Sequence, residues 1–252
     1  MKKTAVKFFA IVLVGLLFTG CKHDTFTISG TLDGGAGKTL WLEELTPDGP
    51  LFIDSIPVDN NGHFKYKYKM PYPSFYNLHI SQENYIVTLP DYGERVKING
   101  NWENLSLTYT VSGSPESELL WQLQQQTNDG AAVLTDLVDT ARRYNELLQQ
   151  GLVDEAMVAA KHEITDSIYF SERELQTEYV HLFIEENKGS LSTIIALYKS
   201  FNTKPLINSR DTASLYWYNM VLEGLTERYP DNPHTVHFQS TVERMRSRLI
   251  EQ

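Results

Sequence analysis

The sequence predicts an α+β protein, with an N-terminal antiparallel β-sandwich-like domain followed by an all-helical domain built on a long antiparallel helical hairpin. Two observations lead there. Between Thr25 and Ser112, apolar residues alternate with polar ones in short runs separated by turn residues, which is the period of half-buried strands. From Ser114 onward the apolar spacing changes to three and four, the period of an amphipathic helix.

Phe26-x-Ile28 opens the strand-rich part, and Thr39–Leu42 follows the Gly34-Gly35-Ala36-Gly37 turn. Phe52–Ile56 leads through the turn signal Asn60-Asn61-Gly62 to His63–Lys69, where aromatic residues alternate with lysines as on a strand with one wet face. Phe75–Ile80, Tyr85–Leu89, Arg95–Ile98 and Leu107–Val111 complete the set. Their spacing of roughly ten residues suits a sandwich or barrel.

Ser114 is placed to cap a helix, with Pro115 at its first position and Glu116 and Glu118 in the first turn, where the helix dipole favours acids. Leu134, Leu137, Ala141, Tyr144 and Leu148 form one apolar stripe. After Gln149-Gln150-Gly151, Val153, Met157, Ala160, Ile164 and Ile168 form a second, extended by Leu175, Tyr179 and Leu182. The two stripes are expected to face each other in the hairpin. Asn187-Lys188-Gly189 ends the second arm, and Ser190 starts a helix through about Phe201. A loop over 205–211, a helix over 212–229, a break at Pro230-Asp231-Asn232-Pro233 and a last helix to Leu249 follow.

Residues 1–20 fit neither part. Lys2, Lys3 and Lys7 precede an uncharged apolar run, Phe8–Phe18, and Thr19-Gly20 lead to Cys21. This is the layout of a secretory signal, with an apolar run short of the roughly 20 residues of a transmembrane helix. Leu17-Phe18-Thr19-Gly20-Cys21 resembles a bacterial lipobox, with Phe18 where Leu is usual. The resemblance implies cleavage before Cys21 and lipidation of its sulfur. A lipid tether over 21–24 would then hold the chain at a membrane. Lys22, rather than Asp, after the cysteine leans toward the outer membrane.

Loss of residues 1–20 removes three lysines and no acid, which takes the net charge from −10 to −13. Such a chain is a poor partner for nucleic acid or for anionic lipid headgroups. Cys21 is the only cysteine, so disulfides within the chain, Cys-x-x-Cys redox chemistry, a further thiol nucleophile and cysteine-zinc sites are excluded.

The order of segments resembles DUF4369, a domain of unknown function in lipoproteins of Bacteroidetes. Gly30, Asp54-Ser55, Gly62-x-Phe64, Pro90-x-x-Gly93-Glu94 and Ser112-Gly113-Ser114 supply the resemblance. Asn187-x-x-Ser190, Ala196-Leu197-Tyr198 and Tyr229-Pro230 look like the helical linker of those proteins. In that family these parts commonly precede a thioredoxin-like domain of the TlpA or peroxiredoxin type. The chain stops at Gln252, about where that domain would begin. The resemblance therefore brings no catalytic residues with it. The domain plan is a signal peptide over 1–20, the tether over 21–24, a DUF4369-like β domain over 25–113 and a helical domain over 114–252.

Each candidate site has a structural alternative. Ala36-Gly37-Lys38-Thr39 is similar to a phosphate loop but lacks its first glycine, Leu32 standing there, and lies between two strands. His162 and Asp166 share a helix face, as two metal ligands would, without an evident third. His234 and His237, three apart with Asp231 nearby, suit adventitious binding of a transition metal or a solvated helix start, and the solvated start is the expectation. Trp41, Tyr66, Tyr68, Tyr72, Phe75 and Tyr76 suit a ligand-stacking face or a core. Asp54-Ser55-Ile56, Asp139-Thr140-Ala141, Asp166-Ser167-Ile168 and Asp211-Thr212-Ala213 match the O-glycosylation pattern of Bacteroides-type bacteria, and Thr212 is the best placed of these.

The expectation is a non-enzymatic envelope lipoprotein that binds or scaffolds. It has no metal and no cofactor, a membrane contact through its lipid and a protein partner on its helical part. A truncated or split thiol–disulfide oxidoreductase, and a glycan- or peptide-binding lipoprotein of a nutrient-uptake system, are the alternatives.

Overall fold

The computed structural model describes residues 24–250. Strands β1 (Thr25–Asp33), β2 (Thr39–Thr46), β3 (Gly49–Pro57), β4 (His63–Lys69), β5 (Phe75–His79), β6 (Tyr85–Thr88) and β7 (Arg95–Asn101) come first. A short helix α1 (Leu105–Thr108) and strand β8 (Thr110–Ser112) follow. They form two four-stranded sheets, β4-β1-β7-β8 and β3-β2-β5-β6. The α+β class is as expected. Neighbouring strands are antiparallel except β1 and β7, which run parallel. Alternation reports which face of a strand is buried and is blind to its direction, so this pair departs from the antiparallel expectation without disturbing the pattern. The two strands meet closely at Gly30, where a Cβ would lie 1.5 Å from the Ile98 carbonyl oxygen.

The expected strand over 107–111 is half helix. Asn101 N–H donates to Thr108 Oγ1, which itself donates to the Asn104 carbonyl, and Leu105 is buried beneath. These local bonds close a turn before the chain extends again as β8.

Ser114 caps α2 (Pro115–Gln149) as expected, accepting from Ser117 N–H. Asp154 caps α3 (Glu155–Glu186), accepting from Met157 N–H at 2.8 Å. After the Asn187 turn comes α4 (Ser192–Leu197). This helix ends earlier than the sequence suggests. Asn202 and Thr203 both adopt positive φ (47° and 64°) and fold 200–205 into a two-residue hairpin turn between β9 (Ser200–Phe201) and β10 (Lys204–Pro205). A 3-10 turn (Thr212–Ser214), α5 (Leu215–Arg228) and α6 (Pro233–Ile250) complete the chain's described part.

Burial divides into two cores. One lies between the sheets and contains Phe26, Ile28, Leu40, Leu42, Tyr76, Leu78, Ile86, Val96 and Ile98. The other joins the helices and takes in Phe75 and Leu89, with Leu45 and Val87 packed against it. Phe75 and Tyr76 are adjacent yet both buried. Their side chains point to opposite faces of the strand, so the second sheet is covered on both sides: sheet, sheet, then helices.

A buried carboxylate ties the helices together. Glu116, in the first turn of α2, accepts from Ser190 Oγ and pairs with Arg228 Nη1 at 2.7 Å. It thereby links the start of α2, the turn after α3 and the end of α5. Gly224 of α5 lies so close to that turn that a Cβ would sit 2.2 Å from the Lys188 carbonyl oxygen.

The hairpin stripe on α2 faces α3 as expected: Leu137 is buried, and Leu134, Ala141, Tyr144 and Leu148 are half-buried. Most of the stripe on α3 does not face α2, although Tyr179 packs against the helical core. Met157, Ile164, Ile168, Leu175 and Leu182 are each between 44% and 56% exposed. At 100° per residue they fall within about 40° of one line. Val180, Phe183 and Ile184 anchor the end of α3 in the helical core and set its phase. A straight helix from that anchor turns Val158, Thr165 and Gln176 inward instead. Gln176 fits over Gly130 of α2 and donates to Glu172 Oε1 at 2.7 Å.

α6 docks on the β4–β5 connection through His234, which is 8% exposed rather than solvated. Its Nε2 lies 3.0 Å from Ser74 Oγ, its ring meets Phe75 edge-on, and neighbouring Asn232 donates to the Pro73 carbonyl at 2.8 Å. Burial, and secondarily His237, push its pKa down to about 4. Unfolded, the imidazole titrates near the ordinary histidine value of 6.5, so between these values only the unfolded state takes up the proton. The contribution of His234 is therefore intact above pH 6.5 and is lost as pH falls toward 4. Urea unfolding at about pH 7.5 and about pH 4.5 is expected to show a loss of roughly 2 kcal/mol from this residue. His234→Gln should remove that part of the loss; an equal loss in both proteins would clear His234 as its source.

Candidate functional site

The features singled out in the sequence do not converge. Residues 1–20 and Cys21 lie outside the described residues. Thr212 is exposed at the first position of the 3-10 turn, and Asp211 beside it caps that turn by accepting from Ala213 N–H. Of the other three motifs, Ser55 lies on β3, Thr140 within α2 and Ser167 within α3.

The phosphate-loop-like segment is a turn between β1 and β2 whose donors are already used. Gly37 N–H donates to the Val58 carbonyl and Lys38 N–H to the Gly35 carbonyl. Lys38 Nζ pairs with Glu103 at 3.3 Å and sits over the Trp102 ring. No three His, Cys, Asp or Glu side chains among the described residues group as metal ligands. The aromatic set splits three ways. Tyr68 meets Phe26 edge-on and Tyr76 meets it at a tilt, Phe75 lies in the helical core, and Trp41 lies outside beside His79. Ser74 and His234 meet, but Ser74 is fully buried and no substrate reaches it.

A cleft that sequence reasoning missed opens where the helices stop covering the second sheet. It encloses about 440 Å³. Tyr85, Ile86 and Val87 of β6 form one wall. Leu120, Leu123, Gln124 and Asn128 of α2 form the other, Ile195 and Lys199 close one end, and Ser106, Leu107 and Tyr109 lie at α1. Tyr85 (47% exposed) and Leu107 (62%) flank the mouth. Apolar surface with a few fixed polar groups is the usual make-up of a ligand site.

Beside Glu83 on the sheet side, three polar groups on the helical side form a short relay. Lys199 Nζ donates to Gln124 Oε1 at 3.2 Å, and Gln124 Nε2 donates to Asn128 Oδ1 at 2.8 Å. Burial alone pushes the Lys199 pKa down to about 8. The sequence held two faint signals of this: a lone lysine closing the run Ile194-Ile195-Ala196-Leu197-Tyr198, and the amide-rich Gln124-Gln125-Gln126-Thr127-Asn128.

β6 is the outer strand of its sheet. Ile80 N–H donates to the Asn84 carbonyl, and the register pairs Leu78 with Ile86 and Tyr76 with Thr88. In an antiparallel pair the bonds fall on alternate residues, so the N–H and C=O of Tyr85 and Val87 point away from β5. The cleft thus combines a strand edge, an apolar lining and a lysine.

No helix among the described residues is long and apolar enough to cross a membrane. No curated protein matches the chain. Residues 26–120 match a domain of unknown function, DUF4369. The match begins in β1 and ends in the second turn of α2. The strand-rich part of this chain is therefore similar to the DUF4369 domain.

Proposed function

We propose that this chain is a lipid-anchored protein of the cell envelope that binds a ligand without transforming it. The cleft between β6 and α2 is the binding site, and this cleft is the observation on which the binding role rests. The lipobox-like residues ending in Cys21 support the anchor. Two or three acyl chains hold a domain stably at a membrane, each buried methylene contributing about 0.8 kcal/mol. Lys22 supports the outer membrane as its destination.

The helical part supplies a contact for a protein partner. The support is the exposed line of Met157, Ile164, Ile168, Leu175 and Leu182 on α3. One flank of this line is acidic, with Glu174, Glu178 and Glu185 along it, which suits a partner helix edged with Lys or Arg.

Three experiments test these parts. Cells expressing the chain and fed a fatty-acid probe should label it, and Cys21→Ser should not label; label in the variant, or none in either, removes the anchor. Ser106→Trp lays an indole over the cleft. Small apolar probes observed by saturation-transfer NMR should bind the unaltered protein at least tenfold more tightly than the variant, and equal binding removes the cleft as the site. Ile164→Glu with Leu175→Glu should leave the unfolding midpoint unchanged while shifting the detergent-solubilised protein to a smaller particle on sizing. An unchanged particle would place any partner elsewhere.

A further inference from the structure

The polar side chains on the helical side of the cleft end in unpaired donors. An ammonium only donates. Lys199 therefore fixes the orientation of Gln124, whose Oε1 must face it. The Gln124 amide nitrogen then faces Asn128 Oδ1. Asn128 is left with Nδ2, which is buried and has no partner. The relay runs one way. What remains at its two ends is the unused N–H of Lys199 and the N–H of Asn128 Nδ2, all of them donors.

Two charges line the cleft: Glu83, exposed on the turn before β6, and Lys199 at the helical end. Lys199 has no ion-pair partner among the described residues. Its lowered pKa reflects an ammonium that has given up part of its hydration without gaining a counter-charge. A bound anion would supply it. The opposite wall is the outward edge of β6 at Tyr85 and Val87, which can pair with an extended backbone. The volume, about 440 Å³, is that of a small-ligand pocket and suits the end of a peptide rather than a long segment.

We propose that the cleft binds the C-terminal end of an extended peptide. The last residues of the peptide pair with the free edge of β6, and its terminal apolar side chain lies on Leu120, Leu123 and Ile195. Its carboxylate accepts hydrogen bonds from Lys199 Nζ and Asn128 Nδ2. This inference rests on the cleft being the binding site, and it adds what the site selects.

The test compares N-acetylated Ala-Ala-Ala-Leu with a free carboxylate, the same peptide as its C-terminal amide, and N-acetyl-leucine. Binding is read from the backbone amide shifts of Tyr85 and Val87 in the full chain. The free acid is expected to bind at least tenfold more tightly than the amide and than N-acetyl-leucine. Lys199→Met should bring acid and amide to equal, weak affinity, and Lys199→Arg should retain the preference; well-dispersed spectra establish that both variants fold. Equal affinity for acid and amide in the unaltered protein would overturn the carboxylate while leaving the cleft as a binding site. So would a preference that survives Lys199→Met. Equal affinity for N-acetyl-leucine would overturn the strand pairing. If no probe, the amide and small apolar molecules included, moves the cleft resonances, the inference and the reading beneath it fall together.

Discussion

The second sheet has to be buried on both faces, and the rest of the architecture follows from that constraint. Leu40, Leu42, Tyr76, Leu78 and Ile86 belong to the core between the sheets, whereas Phe75 and Leu89 belong to the helical core. Either cover alone would leave a row of large apolar side chains in water. Each fully buried side chain of that size contributes about 1.5–3 kcal/mol. The first sheet and the helices are thus held to opposite sides of one partition. Glu116 fixes the helical cover from the polar side, since its carboxylate joins three helical segments at one buried point. The cover ends at β6, the outer strand, and the cleft is the gap that remains there.

Much of this was legible in the sequence, because periodic patterns report burial directly. His63–Lys69 alternates in the chain and alternates in the fold, with Phe64 buried and the lysines exposed. Ser114-Pro115 starts a helix because the capping chemistry is local. The face of α3 was not legible. Periodicity shows which residues share a line along a helix, but not whether anything covers that line. The phase of α3 is set by Val180, Phe183 and Ile184, more than ten residues from most of the stripe. The parallel β1–β7 pair escaped for a related reason, since strand direction leaves no mark on alternation.

The cleft was the least legible part. Its polar relay joins Gln124 to Lys199 across 75 positions, and the Glu116–Ser190 contact spans 74. Such pairings have no period and no local composition to announce them. His234 shows the converse error. A histidine beside Pro233 reads as a wet helix start, and it becomes dry only because the β4–β5 connection, some 160 residues earlier, closes over it.

A cation in the cleft also has to be reconciled with the charge of the whole. The chain carries a net charge of −10, so its long-range field repels an anionic ligand and cannot steer one in. Selectivity for a carboxylate must then arise at contact, from donors whose water has already been removed. Lys199 meets that condition through burial, and Asn128 Nδ2 through having no partner. Salt screens charges separated by more than about 8–10 Å far better than a partly buried pair. The repulsion is therefore the part that weakens in a salty medium, while the local attraction persists. A site of this kind discriminates by what fits against its donors rather than by what the surface gathers.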